Sequence, residues 1–320
     1  MPETPEYPEQ EHPRIIIIAG PTAAGKSRLG LELAQRFEGE IVSADSMQVY
    51  RNMDIGTAKP SPEEQAMVRH HLIDVVNPDE EFNAALFFDL ATNIINKLYK
   101  EGKTIFVVGG TGLYIRVLTG GLIDTPGPSS EVRAKLKSEM VRFGKPYLYE
   151  MLKDLDPASA RRIHPNDSVR TIRALEALEL TGESITRIQR QHGFGERRYD
   201  CLKIGVNLDR QELFRRIEER TDLMMDNGLV AETERLLERG CSEDLKPMQA
   251  LGYKHIIKFL KGELVLDEAV EKIKTDTRHY AKRQITWFGR DGEIQWHRPE
   301  DRDIAEKIAH FLDRRPLKKP

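Results

Sequence analysis

The sequence has only two cysteines, Cys201 and Cys241, far apart and with no CxxC or Cys/His cluster around them. Neither a disulfide framework nor a thiolate metal site is implied, and the scarcity suits a reducing compartment, so a cytoplasmic protein is expected. Long apolar runs are missing too. No stretch approaches the roughly 20 residues a membrane-spanning helix needs, so no membrane association is expected. Neither sign of charge dominates: 49 Lys and Arg against 52 Asp and Glu leave a formal net charge of −3. The molecule as a whole therefore carries no polyanion-binding footprint, and any nucleic-acid surface must be local. There are no internal repeats. The one biased tract is residues 1–13, MPETPEYPEQEHP, rich in proline and glutamate without an apolar core. It reads as a disordered tail and not as a signal peptide.

What is present is a chain of 320 residues, 39% hydrophobic and 32% charged, long enough for a large core plus a second module. It is organised around Arg14 to Ser27, RIIIIAGPTAAGKS. Ile15 to Ile18 show no polar alternation, as in a strand buried on both faces. The strand runs into Gly20, Pro21, Thr22, Ala23, Ala24, Gly25, Lys26 and Ser27, which satisfy G-x-x-x-x-G-K-S/T in full. Gly20 and Gly25 let backbone N–H groups curl round an anion with no Cβ in the way. Lys26 adds a point charge, and Ser27 opens a helix whose N-terminal dipole favours phosphate. These eight residues are a phosphate-chain site.

Strand and helix then alternate. Glu40 to Ser46 reads as a strand ending in polar residues, which places Asp45 and Ser46 near the phosphate loop. After the loop-like MQVYRNMDIGTAKP, His71 to Val76 reads as a further strand. Ala84 to Lys100 has helical spacing, and Thr104 to Val108 is a buried strand breaking into Gly109-Gly110-Thr111-Gly112. The fold class is α/β, a P-loop NTPase-like parallel sheet flanked by helices. Gly120-Gly121 and Thr125 to Pro128 mark a linker. From Ser130 to His192 only helical periods appear, with twelve Lys and Arg against nine Asp and Glu. Residues 126–199 are thus expected to form a helical insertion domain, and 14–125 with 200–320 the P-loop core. The mildly basic balance fits an RNA-facing surface or an ordinary solvated module. Lys203 to Leu208 returns to the sheet. Arg210 to Asn227 is a helix with Arg216 and Arg220 on one face, ended by Gly228, and Leu229 to Arg239 is another, closed by Gly240. Lys274, Arg278 and Lys282 recur at i, i+4 and i+8, a positive stripe that is either a phosphate contact or a solvated helix face.

A P-loop usually accompanies an apolar strand ending in an acid that helps hold Mg²⁺. The strand to Val108 ends in Gly-Gly-Thr instead, and the nearest such acid is Asp45, flanked by serines. It is placed to hold a metal through water or to act as a general base toward a second substrate; spacing does not decide between the two.

GPTAAGKS, the segment from Ile41 to Pro60, VVGGTGLYI, RIHPNDSVRTIRALE, LGYK and TRHYAKRQITWF together resemble the tRNA dimethylallyltransferases, in order from about Ile15 to Phe288. The resemblance implies transfer of the dimethylallyl group of dimethylallyl diphosphate to N6 of the adenosine just 3′ of the anticodon, with Mg²⁺ and release of diphosphate. It implies Asp45 as the base, with Thr22 and Arg220 at the reacting diphosphate and Ser27 at the metal. It implies tRNA contacts from Asp45, Ser46, Met47, Gln48, Thr111, Arg133, Val169, Arg170, Thr171, Ile172, Arg173, Gln249, Gly252, Tyr253 and Lys254. The stripe of Lys274, Arg278 and Lys282 would then meet backbone phosphates. The partners implied are the tRNA anticodon stem-loop and dimethylallyl diphosphate, with a monomeric enzyme expected. Many family members carry Ser where Ala24 stands, a change that a loop acting through backbone N–H groups tolerates. Two other readings share the phosphate loop: a kinase of a small hydroxyl substrate with residues 130–192 as its lid, and a nucleotide-switched RNA-binding protein.

Overall fold

A computed structural model describes residues 12–123, 125–127 and 129–313. All but the last two residues of the expected N-terminal tail lie outside that range. The strands are β1 (Arg14–Ala19), β2 (Gly39–Ser43), β3 (His70–His71), β4 (Thr104–Gly109), β5 (Asp200–Val206) and β6 (Gln295–His297). The helices are α1 (Lys26–Arg36), α2 (Pro62–Met67), α3 (Ala84–Lys100), α4 (Gly112–Gly120), α5 (Ser130–Phe143), α6 (Lys145–Leu155) and α7 (Pro157–Ala160). They continue with α8 (Ser168–Thr181), α9 (Ile185–His192), α10 (Arg210–Asp226), α11 (Leu229–Glu238), α12 (Tyr253–Leu260), α13 (Leu266–Phe288) and α14 (Asp303–Asp313).

The sheet is parallel throughout, in the order β3-β2-β4-β1-β5-β6. β1 lies between β4 and β5, so Ile15 to Ile18 have neighbours on both edges and helices over both faces, and all four are fully buried. An unbroken apolar run is what such a central parallel strand requires. Ile16 pairs with Phe106 on one side and Leu202 on the other. The register sets the carboxyl ends of β1, β2 and β4 side by side, where ligands gather in open α/β sheets.

One expected strand is mostly absent. Only His70–His71 pairs with β2; Leu72 then takes φ 62° and Asp74 φ 54°, which no strand accommodates. The turn brings Val75 and Val76 back to the Val49 carbonyl and lets Asp74 reach Lys59 Nζ at 2.6 Å. The apolar residues of this stretch are buried by a loop.

The chain divides into two compact units. One holds the residues up to Thr119 and those from Arg198 onward, the other Gly120–Arg197. The second unit begins earlier than the linker prolines suggest, directly at the last residue of α4. It is helical throughout, as its periodicity requires. Val132, Leu136, Leu148, Leu152, Ile172 and Leu175 form its core. The Glu176 carboxylate is wholly buried there, and it accepts from Arg133 Nε (2.9 Å), Arg173 Nη1 (2.7 Å) and the Ser129 N–H (2.8 Å). Burial opposes that charge, yet the hydrogen bonds from Arg173 and Arg133 hold its carboxyl below the usual range. Removing either arginine would leave a buried charge short of partners.

Candidate functional site

The phosphate loop is shaped by what its glycines permit. A Cβ on Gly20 would lie 2.2 Å from the Val206 carbonyl oxygen of β5, and Gly25 holds φ 94° at the N-cap of α1. The Ala24 methyl is fully buried in the core and its N–H reaches the Pro21 carbonyl at 3.4 Å, so this position contributes packing and turn geometry, for which alanine suffices. Lys26 Nζ donates to the same carbonyl at 3.3 Å. Ser27 is exposed in the first turn of α1, beside N–H groups with no intrahelical acceptor.

The end of β2 is clamped to the turn after β4. Ala44 N–H donates to Val108 O (2.8 Å), Thr111 N–H to Ala44 O (3.1 Å) and Ser46 N–H to Thr111 Oγ1 (3.0 Å). Asp45 Oδ1 accepts the N–H groups of Met47 (2.8 Å) and Gln48 (3.4 Å), an Asx turn that fixes the side chain. Its Oδ2 takes no hydrogen bond from any described residue. Gln48 is held from both ends, accepting from Ser43 Oγ at 3.0 Å and donating to Ala58 O at 3.1 Å.

These elements enclose a cavity of about 410 Å³ within the first unit, lined by Thr22, Lys26 and Ser27 of the loop and by Asp45 to Gln48. Helix α10 presents Ile217, Arg220, Thr221 and Met224 to it, the i, i+3, i+4, i+7 face. Of the arginines on this helix, Arg215 and Arg216 are tied to Glu212, and Arg220 enters the cavity. Desolvation pushes the Lys26 ammonium down to about 8; Arg220 adds to the shift and Asp45 opposes it. Desolvation also lowers Arg220, again against Asp45. The cavity thus joins two poorly hydrated cations to one carboxylate.

Gln249, Gly252, Tyr253 and Lys254, expected from the resemblance to contact tRNA, line the same cavity. Thr111 stands behind Ser46. Arg133 and Arg173 are committed to Glu176, and Thr171 and Ile172 face the interior of the second unit at 2% and 8% exposure. Those two have no surface to offer an RNA; Val169 and Arg170 of that segment are exposed. The basic stripe is neither free nor merely solvated. Lys274 pairs with Asp222 and Arg278 with Glu218, each at 2.8 Å, because α10 packs on α13 and carries acids at the same four-residue spacing. The Lys282 ammonium lies 5.6 Å from the Phe214 ring centroid. The stripe is an ion-pair seam between two helices.

Sequence reasoning missed four residues. Tyr280, Arg283 and Gln284 reach the cavity from one face of α13. Burial, reinforced by the Asp45 charge, raises the Tyr280 phenol above its ordinary range. Glu232 is 3% exposed and accepts the N–H groups of Asp54 and Ile55 (2.9 Å each) and Gly56 (3.0 Å), plus the Tyr253 hydroxyl (2.7 Å). It fastens the Asp54–Gly56 turn to α12. Its one sequence signal is an acid on the face of α11 that otherwise reads Leu229, Thr233, Leu236.

For a metal, the Ser27 and Thr22 hydroxyls and the Asp45 carboxylate are oxygen ligands among the residues lining the cavity. A hard cation held by one or two side chains plus substrate phosphates suits that set. The His297, Asp301 and Asp303 cluster, the one group of at least three His, Cys, Asp or Glu ligands close together among the described residues, does not line it.

Residues 48–291 match the family model described as IPP transferase. The chain is 54% identical over 303 residues to tRNA dimethylallyltransferase 2 of Syntrophus aciditrophicus (strain SB), covering 94% of this chain and 97% of that one. It is 53% identical to the protein of the same name from Geotalea uraniireducens (strain Rf4), covering 88% and 91%. Among solved structures, the full-length tRNA isopentenylpyrophosphate transferase of Bacillus halodurans is 39% identical, with a TM-score of 0.69 over 94% of this chain and 97% of that one. A eukaryotic dimethylallyltransferase acting on tRNA is 29% identical, with a TM-score of 0.77 over 96% and 81%. With a family model matching most of the chain and relatives about half identical over nearly its whole length, the chain belongs to the IPP transferase family.

Proposed function

We propose that this protein transfers the dimethylallyl group of dimethylallyl diphosphate to N6 of the adenosine 3′-adjacent to the anticodon of tRNA, releasing diphosphate. One observation carries the reading: a single carboxylate, Asp45, with one oxygen fixed by backbone N–H groups and the other unpaired, shares a cavity with the P-loop Lys26 and with Arg220. A phosphate loop with a carboxylate opposite suits a reaction in which an anion leaves and a proton is taken up.

The loop N–H groups, Lys26 and Arg220 hold the diphosphate. As the allylic C–O bond breaks, its electron pair goes to the diphosphate, where desolvated cations act most strongly. The N6 lone pair of adenine forms the new C–N bond, and Asp45 Oδ2 takes the N6 proton. Thr22, at the same wall, orients the diphosphate. The target base must leave its stack to reach the cavity, as loop bases can, and Ser46 to Gln48 with Gln249 to Lys254 line the space it would enter. Mg²⁺, held by Ser27 and the diphosphate, would neutralise charge on the leaving group. Val169, Arg170 and the exposed edges of Arg133 and Arg173 are the second unit's contribution to tRNA binding in this reading. The enzyme would work as a monomer in the cytoplasm; among the described residues no helix is long and apolar enough to cross a membrane.

The test is mass spectrometry of nucleosides from tRNA incubated with the protein, Mg²⁺ and dimethylallyl diphosphate. Dimethylallyl-adenosine forming without any nucleoside triphosphate supports the reading. Consumption of ATP with no alkylated nucleoside would overturn it in favour of phosphoryl transfer.

A further inference from the structure

Gln284 is a polar side chain in the middle of α13, 6% exposed, with both ends of its amide in use. Oε1 accepts the N–H of Thr22 in the phosphate loop at 2.9 Å, and Nε2 donates to the carbonyl of Gly110 at 2.9 Å. The partners have opposite polarity, so only one orientation of the amide satisfies both. A Cβ on Gly110 would lie 2.3 Å from Nε2, so the lack of a side chain there is what admits the amide.

The two groups it joins lead to opposite ends of the reaction. Thr22 belongs to the loop that holds the leaving diphosphate. Gly110 precedes Thr111, whose hydroxyl and N–H fix Ser46 and Ala44 on either side of Asp45. Gln284 also occupies one N–H of the phosphate loop with a protein acceptor. That removes it from the anion cradle and anchors the loop backbone at Thr22.

We propose that Gln284 is a positioning residue: it ties the phosphate loop at Thr22 to the Gly109–Gly112 turn and thereby sets the span between the departing diphosphate and the Asp45 carboxylate. The proposal rests on the transfer reaction proposed above. Gln284 does not touch the reacting atoms; it acts through Thr22 and through the turn that holds Ser46.

Two variants of nearly unchanged size test it. Gln284→Met keeps the volume and removes both hydrogen bonds. Binding of inorganic diphosphate and the single-turnover transfer rate should each fall about 10- to 100-fold, the scale of one or two buried hydrogen bonds. The tRNA affinity should stay near wild type, and melting temperature should fall only by the few degrees that two unpaired backbone groups cost. Gln284→Glu keeps the acceptor for Thr22 but, when ionised, sets a second acceptor against the Gly110 carbonyl. Protonated, it restores the donor–acceptor pair, so its activity relative to wild type should recover as the pH falls below neutral, while Gln284→Met shows no recovery. Wild-type diphosphate binding and transfer in both variants would overturn the proposal. So would a loss of tRNA binding in step with activity, or a Gln284→Glu deficit indifferent to pH. Should the wild-type protein transfer nothing, the functional reading fails by itself; the inorganic diphosphate arm still reports whether Gln284 shapes the loop.

Discussion

Replacing Asp45 by Asn separates the hydrogen-bonding role of this side chain from its basicity. The asparagine oxygen can keep the place of Oδ1 and its bonds from Met47 and Gln48 N–H, while the new NH₂ lies in the cavity where Oδ2 stands. No buried donor loses its acceptor, so stability should change by less than ~1 kcal/mol. Binding of dimethylallyl diphosphate should hold or tighten, because Asp45 places a negative charge close enough to oppose the shifts of Lys26 and Arg220. The N6 proton, however, has no acceptor. The chemical step should slow by about 10²–10⁴-fold, or roughly 3–5 kcal/mol in the barrier at 1.36 kcal/mol per decade. The assay is single-turnover alkylation of an anticodon stem-loop over a Mg²⁺ series, with each substrate's binding measured separately. A near-wild-type rate would refute the base assignment. A deficit repaired by high Mg²⁺ would move Asp45 into the metal shell, and a collapse of diphosphate binding would contradict the charge argument.

Two further outcomes follow from groups around the cavity. Lys26 titrates at about 8 in the free protein and diphosphate favours its charged form, so its value rises on binding and protons are taken up. At pH 8 calorimetry in buffers of different ionisation enthalpy should show wild type taking up about half a proton more than Lys26→Arg, which stays charged throughout; equal uptake would refute the depressed value. Glu232→Gln sets an NH₂ against two of the four donors the carboxylate serves, so urea unfolding should show a loss of about 2–4 kcal/mol and weakened base-site binding. A change within about 0.5 kcal/mol would mean the Asp54–Gly56 turn holds without it.

How much of this the sequence displays depends on the range of the interaction. The Ile15 to Ile18 strand, the loop after it and α3 from Ala84 to Lys100 are written in local periodicity and a contiguous motif, and they stand in the structure within a residue or so of where the pattern puts them. The stretch after His71 has the composition of a strand, but its apolar residues are buried by left-handed turns at Leu72 and Asp74, a choice no local pattern records. The stripe of Lys274 and Arg278 is visible as charge, while the Glu218 and Asp222 that neutralise it lie on another helix, more than fifty residues earlier. Gln284 and Glu232 are the extreme case. Their partners are mostly backbone N–H and C=O groups 262, 174 and 178 residues away, and a backbone group has the same identity under every side chain. A motif scan can therefore find the loop that holds a phosphate and the acid beside it. It does not find the buried polar residues that set the distance between them, because what marks those residues is the polarity of partners the sequence does not spell out. At such sites a polar residue on an otherwise apolar helix face is the remaining signal, and in this chain Glu232 on α11 and Gln284 on α13 both carry it.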